Sequence, residues 1–200
     1  MRQLSHLIIT ASTATLVLAG CTTTITPGDA TTASSTTAST AQTSPTVTST
    51  LPGPHPSANE NNDGTSFDPC VAYTSDELKA WGVAPGSVED KGVKDTVQRG
   101  CQWKGDGWVL QQLVVNRTLN EYLDQQRFPG SEAITVGELN AVRFRSPPDD
   151  QTVCFVVLPS QRATVGTIVR VNDPQAQRSI PDPCVKAMAI ATDSARKLPK

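Results

Sequence analysis

The sequence is poor in aromatic residues, which make up 4% of its 200 residues, and it contains only two histidines. Its hydrophobic fraction of 37% is low for a chain that is folded throughout, so we expect part of the chain to lie outside any core. Neither sign of charge dominates, since 17 Lys and Arg stand against 19 Asp and Glu. This balance argues against a nucleic-acid-binding protein, which usually carries a strongly basic face.

The scarcity of histidine excludes several catalytic classes. His6 lies near the N-terminus and His55 lies in a Thr- and Ser-rich stretch, so the region after residue 66 has no histidine for a Ser-His-Asp or Cys-His mechanism. No CxxC pair is present for a zinc site, and Gly105-Asp106-Gly107 lacks the lysine of a phosphate-binding loop. We therefore expect a protein without catalytic residues, cofactor or metal.

Residues 1–20 have the features of a lipoprotein signal peptide. The uncharged, mostly apolar stretch from Leu7 to Ala19 is too short to cross a hydrocarbon core about 30 Å thick. It ends in Leu18-Ala19-Gly20-Cys21, which looks like the bacterial lipobox, where the cysteine thiol accepts a diacylglyceryl group. The sequence predicts that acylated Cys21 anchors the protein in the lipid bilayer, on the extracytoplasmic face of the cell membrane. The alternative is an ordinary secretory signal followed by a cysteine without a role.

Residues 21–66 have the composition of a disordered tether. After Cys21 the segment is rich in Thr, Ser and Pro, and it contains no Lys, Arg or aromatic residue. Such a composition cannot bury enough apolar surface to offset the entropy lost on ordering. A flexible coil of this length spans about 35–40 Å. The Thr clusters at residues 22–24 and 36–37 are also candidate O-glycosylation sites.

Residues 67–200 are predicted to form an α+β domain. Two capping boxes, Thr74 with Glu77 and Thr118 with Glu121, mark helix starts, and Asp182-Pro183 marks a third. The helix that begins at Thr118 is expected to continue to about Arg127, before Pro129-Gly130. The remaining pattern consists of β-like runs separated by Gly- and Pro-containing turns: 97–103, 108–117, 133–136, 140–145, 152–158 and 164–171. Between the first two runs, Lys104-Gly105-Asp106-Gly107 is a hairpin signal. We expect a single antiparallel sheet of five to six strands, covered by about three helices.

Four cysteines remain in this domain once Cys21 is set aside. An even number outside the cytosol indicates two disulfides. Of the three possible pairings we favour Cys70–Cys101 with Cys154–Cys184, because each closes a loop of about 30 residues and ties a helix start to a strand. The alternative, Cys70–Cys184 with Cys101–Cys154, joins the two Asp-Pro-Cys turns instead.

A few residues of the domain are candidates for ligand contact. Trp108 opens a predicted strand and Trp81 lies near a helix end, so either ring could line a cleft, although packing in the core is the simpler role. Arg143 and Arg145 project from the same face of one strand and could contact an anion or a sugar. The simpler interpretation of the two arginines is a solvated face.

The order of these motifs resembles a known family. The Asp68-Pro69-Cys70 turn, Cys101-Gln102-Trp103, Cys154 and the closing Asp182-Pro183-Cys184 helix follow a lipobox and a Thr-rich stalk. This resembles the actinobacterial lipoproteins of mycobacterial or nocardial type that are grouped as domain-of-unknown-function family thirty-five fifty-eight. The resemblance implies a cell-envelope lipoprotein, and it supplies no catalytic residue.

The functional hypothesis combines the permanent anchor, the long tether and the missing catalytic groups. We expect a non-enzymatic binding or accessory module for an envelope lipid, glycan or protein. One alternative is an adaptor or signalling partner of a membrane protein. Another is a hydrolase that uses carboxylates alone, which requires two Asp or Glu side chains about 5–10 Å apart in one cleft.

Overall fold

The computed structural model describes Leu51 and residues 55–200, which lie within one compact unit, Thr43–Lys200. The predicted signal peptide, Cys21 and most of the predicted tether fall outside the described residues. Over the described ranges, no helix combines the length and the apolar character that crossing a bilayer requires.

Seven strands form one sheet whose neighbouring strands are all antiparallel, in the order β1-β2-β3-β7-β6-β5-β4. The two halves of the chain each form a meander, and the pairing of β3 with β7 joins them at the centre. The strands are β1 Val83–Asp90, β2 Arg99–Gly105, β3 Trp108–Val115, β4 Glu132–Val136, β5 Leu139–Phe144, β6 Val153–Ser160 and β7 Ala163–Val171.

Four helices occur in the part of the chain that the structure describes: α1 Ser75–Trp81, α2 Leu119–Tyr122, α3 Pro174–Ser179 and α4 Pro183–Ala195. Thr74 and Glu77 form the predicted capping box of α1, and Asp182 caps α4 by accepting the N–H of Cys184. Helix α4 packs across β6 and β7, and α1 packs beside β1. Helix α2 contacts β5 and β6.

The fold class is α+β as predicted, with a single antiparallel sheet and two disulfides, but the numbers of strands and helices were underestimated. Strand β1 contains Pro85 and Gly86, and its pairing with β2 shifts register between Ala84 and Glu89. Because this irregular strand lacks period-two alternation, its sequence does not read as a strand. Helix α3 is too short for a periodic pattern to reveal it.

Helix α2 is also shorter than predicted. It ends at Tyr122, whereas the expected helix continued to about Arg127. Asp124 accepts the backbone N–H of Gln126 with its side chain, and its carbonyl accepts the N–H of Arg127. An Asp side chain that bonds to nearby backbone N–H groups favours turns over helix, and this local turn replaces the helical continuation.

The core lies on both faces of the sheet. On β6 the side chains alternate, so that Val156 and Leu158 join the large cluster under α1 and α4, while Val157 joins Tyr122 and Phe144 on the opposite face. Within the large cluster, Trp103, Leu110 and Ile190 are almost completely buried. These side chains fill the space between the sheet and the helices, so the grooves open to solvent lie at the rim of the domain.

The sequence predicts that the folded part starts at residue 67, but in the structure it begins earlier. The buried Arg99 donates from Nε to the carbonyl of Asn62, at 2.8 Å, and from Nη2 to that of Thr65, at 2.7 Å. The backbone N–H of Arg162 donates to the carbonyl of Gly64. The last part of the predicted tether is therefore packed against the domain, held by hydrogen bonds more than by apolar burial.

These contacts define two ends of the sheet. Residues 59–66 cover the end that carries the start of β2, the end of β3 and the turn between β6 and β7, which we call the docked end. The opposite end carries the β2–β3 turn, the start of β6 and the end of β7, and we call it the cleft end.

Candidate functional site

A cleft of about 630 Å³ opens at the cleft end, between the β2–β3 turn, α3 and α4. We call it the Trp108 cleft. Its walls combine an aromatic ring and aliphatic side chains with charged groups of both signs, contributed by Asp106, Trp108, Asp173, Arg178, Ile180 and Lys186. The volume is within the range of about 300–1,000 Å³ that is usual for small-molecule sites.

Gly107 allows helix α3 to approach the β2–β3 turn. Its φ is +71°, and its carbonyl accepts the backbone N–H groups of Asn172 and Asp173. A Cβ at this position would lie 2.7 Å from the Cβ of Asp173 and 2.8 Å from that of Ala176. Both the left-handed backbone and the close contact require glycine here, so this residue fixes one wall of the cleft.

Trp108 forms a rigid floor of the cleft. Its ring is packed against Gly105, where a Cβ would lie 2.1 Å from the indole Nε1. The Lys186 ammonium lies over the ring, with Nζ 4.4 Å from the centroid, a cation–π arrangement. Partial burial lowers the pKa of Lys186. Because Trp108 is only 5% exposed, the cleft does not present an open aromatic face to solvent.

The charged side chains of this cleft differ in how many hydrogen bonds they already make. Asp173 caps α3 by accepting the N–H groups of Gln175 and Ala176. Arg178 donates from one nitrogen to the side chain of Gln175. Among the residues that the structure describes, Asp106 has neither a hydrogen bond nor an ion pair from its side chain. A free acceptor and a largely free guanidinium therefore face the same space.

A second, smaller cleft of about 280 Å³ contains the two arginines singled out in the sequence. Arg143 forms an ion pair with Glu132 across β4 and β5, with Nη2 2.7 Å from Oε1. Arg145 donates to the carbonyl of Val153 at 2.9 Å and to Asp182 Oδ1 at 2.7 Å. Each guanidinium is thus paired with a carboxylate, so this cleft offers less unpaired positive charge to an anion than the sequence suggested.

Trp81 has a packing role. Its Nε1 donates to Asp193 Oδ2 at 3.0 Å, and its ring lies 4.8 Å from that of Tyr73 in an edge-to-face contact. It lines neither the Trp108 cleft nor the smaller cleft that contains the two arginines. The structure therefore separates the two tryptophans, since Trp108 lines a cleft and Trp81 joins α1 to α4.

The four domain cysteines form two disulfides, Cys70–Cys101 and Cys154–Cys184, which is the pairing that the sequence analysis favoured. The first ties the turn after residues 59–66 to the start of β2, near the docked end. The second ties the start of α4 to the start of β6, at the cleft end. Each end of the sheet therefore has its own covalent link.

His55 lies on the folded domain, a position that the sequence does not predict. It was assigned to the disordered tether, yet its imidazole lies between Asp68 and Asp90 at the docked end. Its Pro-rich surroundings carry no periodic pattern, so no signal in the sequence reveals that it packs on the domain. The region after residue 66 contains no histidine, as stated above, but the folded part extends to His55 and so includes one.

The hydrolase alternative requires two carboxylates in one cleft, and each of the two clefts contains such a pair. Asp106 and Asp173 share the Trp108 cleft, and Glu132 and Asp182 share the smaller one. Three of these four carboxylates cap helices or pair with arginines, while Asp106 is free. A two-carboxylate mechanism would have to recruit a group that already stabilises the fold.

Together these features define a small, disulfide-bonded α+β domain with a polar cleft at one end of an antiparallel sheet. The chain belongs to the family described as Protein of unknown function (DUF3558), whose model matches residues 16–197. This is the family that the order of the sequence motifs resembles. A comparison with curated proteins gives no match, and neither does one with solved structures.

Proposed function

We propose that the protein is a membrane-anchored, extracytoplasmic binding module that holds a polyhydroxylated ligand, a segment of an envelope glycan, in the Trp108 cleft. The observation that carries this proposal is the free carboxylate of Asp106 and the guanidinium of Arg178 facing one open cleft beside Trp108 and Ile180.

The chemistry of the cleft favours a glycan over an acyl chain. Sugar hydroxyls both donate and accept hydrogen bonds, so they suit a carboxylate acceptor beside a guanidinium donor. The apolar edge of a sugar ring can pack on Ile180 and on the edge of Trp108. An acyl chain requires a largely apolar wall, whereas the Trp108 cleft carries charged side chains of both signs.

The positions of the two ends also support this proposal. The chain before residue 59 reaches the domain at the docked end, and the eight residues of β3 separate that end from the Trp108 cleft. Eight strand residues span about 25 Å. If Cys21 is the anchor, the cleft lies on the side of the domain opposite to the attachment of the tether, where it can meet polymer beyond the membrane.

Isothermal titration of the full chain in detergent with a panel of neutral, acidic and amino-sugar oligosaccharides tests the proposal. We expect binding by at least one class, weakened at least about tenfold by Asp106→Asn and by Arg178→Gln. Asp149→Asn and Arg127→Gln are matched surface controls and should bind like wild type. Absence of binding across the panel, or equal binding by all four variants, would contradict it.

Experiments with the same protein variants distinguish the two alternative functions, a hydrolase and an adaptor. Release of shortened oligosaccharides that Asp106→Asn abolishes would favour a hydrolase. Cross-linking of intact cells through the Trp108 cleft to one membrane protein, without any glycan binding, would favour an adaptor.

Anchoring has its own test. We expect mass spectrometry of the purified protein to show diacylglyceryl on Cys21 as the N-terminal residue, and Cys21→Ser to release the protein from the membrane. An unmodified Cys21 would contradict the anchored module even if glycan binding were found.

A further inference from the structure

A polar cluster at the docked end brings together three residues that are distant from the Trp108 cleft. His55 Nε2 lies 2.9 Å from Asp68 Oδ2, and His55 Nδ1 lies 3.7 Å from Asp90 Oδ2. His55 precedes the domain predicted from the sequence, Asp68 begins the turn that leads to Cys70, and Asp90 ends β1. The imidazole therefore bridges two elements of the domain.

Both carboxylates are held in place by the backbone. Asp68 Oδ1 accepts the N–H of Cys70 at 2.9 Å, and Asp90 Oδ1 accepts the N–H of Gly92 at 2.8 Å. Each carboxylate thus turns its second oxygen, Oδ2, towards His55. These two oxygens are oriented before any ligand arrives.

Asp90 provides an independent indication of a ligand. Its side chain is only 9% exposed, and its Oδ2 is buried without a hydrogen-bond partner. A buried carboxylate oxygen that lacks a hydrogen-bond partner destabilises the fold. We therefore expect the neighbouring His55 to be held in an orientation in which its Nδ1–H donates to Asp90 Oδ2. An imidazole whose other nitrogen binds a metal ion supplies such a donor, because its remaining N–H is then fixed in place.

We propose that this cluster binds a divalent transition-metal cation of the zinc type, with His55 Nε2 and Asp68 Oδ2 as direct ligands. Asp90 is a positioning residue that accepts the Nδ1–H of His55, and water completes the coordination. Two donors at about 2.1 Å from one tetrahedral zinc ion lie about 3.4 Å apart, so the present 2.9 Å separation has to widen by about 0.5 Å to admit the ion.

The other groups at the site are compatible with this assignment. Cys70 Sγ lies within 4.8 Å of the His55 and Asp68 donor atoms, but it is bonded to Cys101 and is not a thiolate ligand. Arg99 is close enough to Asp68 to interact with it electrostatically. Two carboxylates and one guanidinium leave a net negative charge beside the imidazole, which attracts a cation.

Zinc titration of the full chain, with its disulfides intact, tests the site by calorimetry, and cobalt substitution reports the ligand field by absorption. We expect one ion per chain. His55→Gln should abolish binding, Asp68→Asn should weaken it at least about tenfold, and Asp90→Asn should weaken it about 10–100-fold. Asp76→Asn, which removes an exposed carboxylate on α1, is the matched control and should bind like wild type.

A second measurement guards against variants that disturb the fold. In wild type, zinc should slow amide hydrogen exchange in residues 55–68, and in His55→Gln it should not, while the exchange of the central strands stays the same. Binding that is no tighter in wild type than in His55→Gln would overturn the proposal. A loss of stability in His55→Gln that zinc does not influence would also overturn it, because His55 would then only link Asp68 and Asp90.

Discussion

Residues 59–66 cover the docked end of the sheet, whereas the cleft end leaves the Trp108 cleft open to solvent. Each end has one disulfide and one arginine that binds backbone carbonyls, Arg99 at the docked end and Arg145 at the cleft end. The difference lies in what covers the ends of the strands. At the docked end, residues 59–66 cover the strand ends and accept hydrogen bonds through their backbone carbonyls. At the cleft end, the short helix α3 packs against Gly107 and leaves a groove. The two ends of the same sheet therefore differ, since one is closed by the chain itself and the other is open to solvent.

Removal of the disulfides should have the largest effects and should separate the two ends. The loops closed by the two bonds have nearly equal sequence separations of 31 and 30 residues, so each double Cys→Ala variant should lose about 3–4 kcal/mol of unfolding free energy. Loss of Cys70–Cys101 should speed amide exchange near residues 59–73, and loss of Cys154–Cys184 should speed it at the start of α4. Denaturant unfolding and hydrogen exchange measure both. Identical exchange patterns in the two variants would contradict the division into two ends.

Arg99→Leu should release the segment that closes the docked end. Two hydrogen bonds from a charged donor to the carbonyls of Asn62 and Thr65 disappear, for a loss of about 2–4 kcal/mol. Limited proteolysis should then cut within residues 55–66 while the rest of the domain resists. Arg162→Leu is a control at the same end, because the backbone of Arg162 makes the contact with Gly64. A segment that stays protected in Arg99→Leu would refute this account of its docking.

The two arginines of the cleft end should differ in their contribution to stability. Arg145 bonds to two backbone carbonyls and Asp182 and is mostly buried, so Arg145→Gln should cost about 1–3 kcal/mol of unfolding free energy. Arg143 makes a more exposed pair with Glu132, so Arg143→Gln should cost at most about 1 kcal/mol. Denaturant unfolding of both variants provides the measurement, and equal losses would show that the carbonyl contacts of Arg145 add nothing.

The smallest effect is expected from acid titration at the two ends. Near the docked end, burial opposes ionisation of Glu77, but hydrogen bonds from Lys197 and Thr74 outweigh it and lower its pKa. At the cleft end, the hydroxyl and backbone N–H of Thr152 lower the pKa of Asp150. Both folded-state pKa values lie below the unfolded ones, so the stabilisation is present above about pH 4–4.5 and is lost as the pH falls through the lower folded-state values.

Two variants check this titration. Glu77→Gln and Asp150→Asn should each be less stable than wild type at pH 7, by less than about 1 kcal/mol, and the difference should shrink below pH 4. Unfolding free energies measured between pH 7 and pH 3 give the comparison. A difference that stays constant with pH would mean that the charge of the carboxylate is not what stabilises the fold.

Local chemistry made much of the fold predictable from the sequence. The capping box at Thr74, the Asp182 cap of α4 and the hairpin turn before Trp108 are short-range signals, and each appears where it was expected. The preferred disulfide pairing followed from matching helix starts to neighbouring strands, and the structure forms it.

The features that were missed depend on contacts between distant parts of the chain. Residues 59–66 become ordered because Arg99, far along the sequence, binds their carbonyls. The amino-acid composition of the segment does not indicate such a distant contact. Only part of the Trp108 cleft could be predicted from the sequence. The sequence singled out Trp108, but Lys186 and Arg178 reach it through α4 and through the unpredicted helix α3.

The attachment of residues 59–66 at the docked end has a mechanical consequence. If the tether is pulled while a glycan is held in the Trp108 cleft, the load runs along β3 and β7, parallel to the strands. The hydrogen bonds between these two strands, from Trp108 with Val171 to Val115 with Thr164, are then sheared together instead of being opened one after another. The antiparallel pairing of these two strands would therefore resist such a pull in the direction in which it acts.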